Sequence, residues 1–395
     1  MQNKIIGIFV CMLMISSTTT LALTPFSRHE QQMKNHFFDT TSVPLPTSSG
    51  WMKTFGGKDI DEGNSVQQTT DGGYIIVGYR DVNSFNNYNY GDVWLIKTDS
   101  NGDETWNRNF GGTDLDAGMS VQQTTDGGYI IIGGTNSFGA GDIDVWLIKT
   151  DTNGYETWNR TFGGTDADEG LSVQQTSDGG YIITGYSSYS FGRFYDVWLI
   201  KTDDAGNKIW DKYFGTGSNL GYSVQQTSDE GYIITGSVGF LDGNSDVWLI
   251  KTDSNGDETW NRTFGGKNID YGTFVRQTTD GGYIIAGCKN SVITGDDIWL
   301  IKTDSSGNMI WDNTFGGISS DWGDSVQQTS DGGYIIAGMI GYRINIYNDE
   351  FGDVCLIKTD SQGKSKTLSS GNLLFERLFQ RFPNAFPILR QLMGY

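Results

Sequence analysis

The sequence predicts an all-β chain folded as a six-bladed β-propeller of four-stranded antiparallel blades. Three observations carry that prediction. A Trp followed four residues later by Phe recurs at Trp51, Trp106, Trp158, Trp210, Trp260 and Trp311, with spacings of 55, 52, 52, 50 and 51 residues. A period near fifty marks a repeat fold. Each period also holds four strand-like runs separated by turn residues. Finally, the two ends are complementary fragments: residues 51–55 read as a fourth strand without the preceding three, and the last DVCLIKTD run, from Asp353, lacks a fourth strand after Lys364.

Within one unit, residues 172–176 (SVQQT) form a short strand and Ser177-Asp178-Gly179-Gly180 is turn chemistry. Residues 181–186 (YIITGY) form a β-branched second strand. A loop of variable length leads to DVWLIKTD, repeated from Asp92, Asp144, Asp196, Asp246, Asp297 and Asp353. The turn into the Trp strand often contains Asn-Gly, as at Asn101-Gly102, Asn153-Gly154 and Asn255-Gly256, a pair that tolerates positive φ. Four-stranded sheets repeated radially are propeller blades. Pairing residues 51–55 with the last blade closes the ring and hides two sheet edges. Blades packed on both faces explain runs such as Val145-Trp146-Leu147-Ile148, and the two tryptophans per repeat read as packing between blades.

The ends read differently. Residues 1–22 begin with Lys4, continue through IIGIFVCMLMI and finish in small residues, the pattern of a secretory signal peptide. Residues 23–50 read as a linker carrying both histidines, His29 and His36; residues 51–364 form the propeller, and residues 365–395 an amphipathic tail suited to docking or surface attachment. No later run approaches the roughly twenty apolar residues of a membrane span. Beyond Cys11 only Cys288 and Cys355 remain, and Cys355 stands where five copies have Trp, which reads as substitution rather than as half of a bridge. The net charge of −20 excludes a nucleic-acid partner by repulsion. A secreted or cell-surface location follows.

The run Asp151-Thr152-Asn153-Gly154, followed by Trp158, resembles the tryptophan-docking repeat of quinoprotein-type propellers. The repeat as a whole, from Trp51 to Lys364, is similar to exported bacterial and archaeal propeller proteins built from DGGYIIAG and DVWLIKTDSNG units. That resemblance implies the architecture and carries no chemistry with it.

If SVQQT is the innermost strand, the tight turns lie on one face, and the loops between second and third strands lie on the other. Those loops hold 13, 10, 10, 9, 9 and 14 residues in chain order. Several are aromatic: Tyr79, Phe85, Tyr88 and Tyr90 in the first, Tyr189, Phe191, Phe194 and Tyr195 in the third, Tyr342, Tyr347 and Phe351 in the sixth. Aromatics on loops held by a rigid scaffold suit recognition of a glycan or a surface protein. On the same face, Asp61, Asp116, Asp168, Asp270 and Asp321 precede the inner strands. They would ring the channel mouth with oxygens suited to calcium, although an Asp two before Gly also caps a turn. The position after each of these Asp, and after Asn219 in the fourth repeat, varies (Glu62, Ala117, Glu169, Leu220, Tyr271, Trp322), and Arg276 replaces a Gln found in the other five inner strands. Glu62, Glu169, Tyr271, Trp322, Arg276, Tyr88, Tyr90 and Tyr347 are therefore the candidate ligand-binding residues.

No histidine lies within the repeats, so a His general base, a Ser-His-Asp triad and His-rich metal sites are excluded there. The expected function is an exported, non-catalytic binding or scaffold module. The alternative is a carbohydrate-active enzyme working through Glu62 and Glu169.

Overall fold

The computed structural model describes residues 53–57, 60–82, 91–189, 194–239, 244–291, 295–317, 319–344 and 350–365. The signal peptide, the linker and nearly all of the C-terminal tail lie outside them. The described residues are all-β and contain no helix, hence none long and apolar enough to cross a membrane.

They form the six sheets of a six-bladed β-propeller. Blade 1 contains β1 (Ile60–Gln68), β2 (Tyr74–Val82), β3 (Asp92–Thr98) and β4 (Glu104–Phe110). Blade 2 contains β5 (Asp116–Gln123), β6 (Tyr129–Thr135), β7 (Asp144–Thr150) and β8 (Glu156–Phe162). Blade 3 contains β9 (Asp168–Gln175), β10 (Tyr181–Tyr189), β11 (Phe194–Thr202) and β12 (Lys208–Phe214). Blade 4 contains β13 (Leu220–Gln226), β14 (Tyr232–Val238), β15 (Asp246–Thr252) and β16 (Glu258–Phe264). Blade 5 contains β17 (Asp270–Gln277), β18 (Tyr283–Ser291), β19 (Gly295–Thr303) and β20 (Met309–Phe315). Blade 6 has β21 (Ser320–Gln328), β22 (Tyr334–Ile344) and β23 (Glu350–Thr359), and among the described residues no fourth strand joins it. Residues 53–57 are irregular there, and Trp51 and Met52 lie outside the description.

Each sheet is an antiparallel meander in one register. Ile76 faces Ile96 in blade 1 as Ile183 faces Ile200 in blade 3, and Lys97 faces Trp106 as Lys201 faces Trp210. The core lies between blades. At the first seam Ile75, Val77, Val93 and Leu95 of blade 1 meet Val121, Tyr129, Ile131, Trp146 and Ile148 of blade 2, and four further clusters repeat this arrangement up to blade 6. Fully burying each such side chain contributes about 1.5–3 kcal/mol.

Two glycine positions show why the repeat reads as it does. From blade 2 onward the turn glycine after the third strand has positive φ and lies under the Trp of the preceding blade: a Cβ on Gly154 (φ +77°) would come 2.5 Å from Trp106, and one on Gly206 would come 2.5 Å from Trp158. The tryptophans thus dock between blades, as the spacing predicts.

Candidate functional site

Each of the five linker aspartates caps its own turn. Each accepts a hydrogen bond from the backbone N–H four residues before it: Asp61 from Gly57 (2.6 Å), Asp116 from Gly112 (2.9 Å), Asp168 from Gly164 (2.9 Å), Asp270 from Gly266 (3.1 Å) and Asp321 from Gly317 (2.8 Å). In three of them the opposite oxygen ties down the far end of the same sheet. Asp116 takes the Thr135 hydroxyl, Asp270 the Asn290 N–H (2.8 Å) and Asp321 the Gly341 N–H (2.6 Å). Asp116, Asp168, Asp270 and Asp321 are buried. Among the described residues no group of three His, Cys, Asp or Glu side chains could hold a metal ion. These hydrogen bonds are the turn capping that an Asp two before Gly also predicts.

The variable position after each Asp, and after Asn219 in blade 4, faces a second variable position across the sheet. The pairs are Glu62 with Tyr79, Ala117 with Gly134, Glu169 with Tyr186, Leu220 with Ser237, Tyr271 with Cys288, and Trp322 with Met339. Ala117, Glu169, Leu220 and Tyr271 are buried, and Glu62 and Trp322 are half-buried. Size is exchanged between blades: a Cβ on Gly134 in blade 2 would meet Ile143 and, at 3.3 Å, the Cγ of Glu169 from blade 3. At that seam the small residue of one blade makes room for the large one of the next. Of this set, the structure leaves Glu62 and Trp322 partly accessible, and the Trp322 indole N–H donates to Asp296 (3.3 Å).

Both glutamates are bonded to a tyrosine of their own sheet. Tyr79 donates to Glu62, and Tyr186 donates to Glu169 Oε2 at 2.9 Å. Burial pushes the Glu169 carboxyl up to about 7, against the lowering effect of the Tyr186 bond. Its Oε1 has no hydrogen-bond partner. Burial also raises Glu62, opposed by the Tyr79 bond. Glu62 stands in blade 1 and Glu169 in blade 3, with blade 2 between them.

Arg276 interrupts a belt of amides around the inner strands. The side-chain oxygens of Gln67, Gln122, Gln174 and Gln225 accept from the backbone N–H of Gln123, Gln175, Gln226 and Gln277 in the next blade, each at 2.6 or 2.7 Å. In return the second Gln of each pair reaches back: Gln123 accepts from Thr70 N–H and Gln328 from Thr279 N–H. This reciprocity is the physical reason for the QQT motif. A guanidinium has only donors, so Arg276 cannot continue the belt into blade 6. It lies instead over Phe274, 4.7 Å from the ring, and Phe274 itself stands where the other inner strands have Ser65, Ser120, Ser172, Ser223 and Ser325.

On the variable-loop face, Tyr88, Tyr90 and Tyr347 lie outside the described residues. Among the described ones, Tyr189 and Phe194 face each other where β10 and β11 run out beyond the sheet. Their rings stack at 5.7 Å and 29°, and they are 38% and 43% exposed. Phe138 in the equivalent loop of blade 2 is 44% exposed and packs on Trp146.

The opposite, tight-turn face carries a feature that the sequence reading missed. Clefts of about 550 and 430 Å³ open at the seams between blades 1 and 2 and blades 4 and 5. Their linings match position for position, with Asp71, Lys97, Trp106 and Tyr129 in one and Asp229, Lys251, Trp260 and Tyr283 in the other. Each Lys is nearly buried and bridges to its Asp at 2.9 or 3.0 Å. The near-identity of the repeats at these positions is the signal that would have located them.

No family model matches this chain. It is similar to the regulatory protein FlaEY of Caulobacter vibrioides, 27% identical over 189 residues, which is 44% of this chain but 19% of FlaEY. Its structure is similar to that of an unknown function protein from Dyadobacter fermentans (TM-score 0.46, 12% identity, 74% of this chain and 93% of that one). Sqt1 from Chaetomium thermophilum is a second such neighbour (TM-score 0.45, 11% identity, 77% and 71%). Likeness at this level assigns no ligand, and the fold rests on the sheets themselves.

Proposed function

We propose that the chain is an exported, non-catalytic binding or scaffold module that recognises a glycan or a surface protein through its variable-loop face. The observation that carries this reading is the Tyr189–Phe194 stack. Two large rings stand half in solvent at the end of a hairpin whose other end is fixed in a buried blade, and rigidly held aromatics lose little entropy on binding. The stacked pair offers a flat apolar surface to the C–H face of a sugar or to an apolar side chain. Export is supported by residues 1–22, and surface attachment by the apolar spacing and the arginines of residues 365–395. Docking of Trp106, Trp158, Trp210, Trp260 and Trp311 over a turn glycine of the next blade supports kinship with tryptophan-docking propellers. The enzymatic alternative is weakened by Glu62 and Glu169, each held by its own tyrosine in separate blades.

The test is binding of the full chain, and of its Tyr189→Ala/Phe194→Ala variant, to a glycan array and to envelope fractions. Loss of binding by roughly tenfold or more, with an unchanged melting temperature, is the expected result. Binding that survives the double substitution would move recognition off this face.

A further inference from the structure

The two clefts of the tight-turn face are alike even in groups that packing does not require. Each is rimmed by exposed hydroxyls from three different turns: Thr70, Ser100 and Thr152 at the seam of blades 1 and 2, and Ser228, Ser254 and Ser305 at the seam of blades 4 and 5. Among the described residues none of these six side chains has a hydrogen-bond partner. The first rim position is Thr or Ser in all six copies (Thr70, Thr125, Ser177, Ser228, Thr279, Ser330), although the Gly two residues after it has become Glu230 in the fourth. These hydroxyls are kept and left unbonded, so they are available to a partner.

Below the rim, acceptors are fixed in place. The Asp71 side chain is 63% exposed, yet it is held by the Thr69 hydroxyl, the Gly73 N–H (3.0 Å) and the ammonium of Lys97 (2.9 Å). Asp229 is held in the same way by Thr227, Gly231 (3.2 Å) and Lys251 (3.0 Å). Asp99 and Asp253 each accept from two backbone N–H groups of their own turn. The wall is a Trp of one blade against a Tyr of the next, Trp106 with Tyr129 at 5.8 Å and Trp260 with Tyr283 at 5.9 Å between ring centroids.

Such a set selects its ligand by chemistry. Fixed acceptors, unbonded hydroxyls and an aromatic wall match a neutral saccharide, whose hydroxyls donate and accept and whose C–H faces are apolar. An anion would meet two carboxylates against one ammonium. A wholly apolar ligand would cover the polar groups without bonding them. The volumes of about 550 and 430 Å³ fall in the range of small-molecule sites.

Of the five seams between consecutive blades, these two alone carry the complete set. Asp204 replaces a rim hydroxyl at both seams of blade 3, and Ile209 and Ile310 stand where Thr105 and Thr259 line the two clefts. Both isoleucines are 57% exposed. Three blades separate the two complete seams, which puts them on opposite sides of a six-bladed ring.

We infer that these two clefts are equivalent binding sites for a neutral saccharide. They are independent of the Tyr189–Phe194 stack and lie on the other face.

The test uses the full chain on an array of neutral and acidic glycans, followed by calorimetry with a neutral oligosaccharide that it retains. Two equivalent sites per chain are expected, one in Thr70→Arg, and in Thr70→Arg/Ser228→Arg a Kd raised by roughly tenfold or more. Both substitutions fall at exposed turn positions, so the melting temperature should hold. Tyr189→Ala/Phe194→Ala should leave this binding intact. Absence of any neutral glycan among those retained, or full binding by the Thr70→Arg/Ser228→Arg variant, would overturn the inference. Loss of the same binding in Tyr189→Ala/Phe194→Ala would assign it to the variable-loop face and overturn it too.

Discussion

Glu169 carries the largest electrostatic cost visible at the scale of one residue. Its carboxyl is buried and titrates near 7 in the fold, against 4.5 ordinarily. A raised carboxyl pKa means that the folded state holds the proton more tightly than the unfolded chain. Its penalty is therefore absent below about pH 4.5, grows as pH rises toward 7 and is complete above. That difference corresponds to on the order of 3 kcal/mol. Glu169→Gln, whose amide oxygen still accepts from Tyr186, should raise the melting temperature at pH 8 and flatten its decline between pH 5 and 7; thermal melts across pH measure both. Glu230 presents a backbone counterpart. It is the only non-glycine with positive φ (68°) among the described residues, standing where the other repeats have the first Gly of Asp-Gly-Gly. Glu230→Gly should stabilise the chain by about 0.5–1 kcal/mol, read by denaturant titration.

At the scale of the element, the inner strands are held to each other by the Gln belt as well as by apolar packing. Blade 5 departs from it twice, at Phe274 and Arg276, and the two departures touch. Arg276→Gln should restore an acceptor for the next blade and raise stability by about 0.5–1.5 kcal/mol, measured by chemical unfolding. A fall in stability would show that the guanidinium on Phe274 outweighs the missing amide. The second glycine of each Asp-Gly-Gly turn lies against the backbone carbonyl and lysine of the third strand. That contact explains why Gly231 persists beside Glu230 although the first glycine was replaced.

Over the whole molecule, a net charge of −20 acts on a fold whose acidic groups include many turn aspartates. Their mutual repulsion is screened by salt. Melting temperature should therefore rise as NaCl increases from about 0.05 to 0.5 M, despite weakening of the surface Lys–Asp pairs; a monotonic fall would mean that those pairs dominate. Because each blade contacts chiefly its neighbours, damage at one seam weakens the ring locally, as in other repeat folds.

The repeat period, the four strands per unit, their turns and the seam-facing apolar runs were legible in the sequence, because hydrophobic alternation and Asn-Gly or Asp-Gly turns are local signals. The docking of each Trp was legible too, since its spacing from the turn glycine recurs. The site residues were not. Glu62, Glu169, Tyr271 and Trp322 vary from copy to copy, which in a linear string looks like a recognition surface. Only the cross-strand register shows that each varies opposite a partner such as Tyr79 or Met339, and that Glu169 and Tyr271 are buried while Glu62 and Trp322 stay partly accessible. The aspartates could be read from the sequence as ligands or as turn caps, and their hydrogen bonds from Gly112, Gly164, Gly266 and Gly317 show the capping. The sequence by itself determined what packs, because apolar periodicity follows from the backbone repeat. Only the tertiary structure decided which polar groups remain available, because that depends on which donors the neighbouring blade brings within reach.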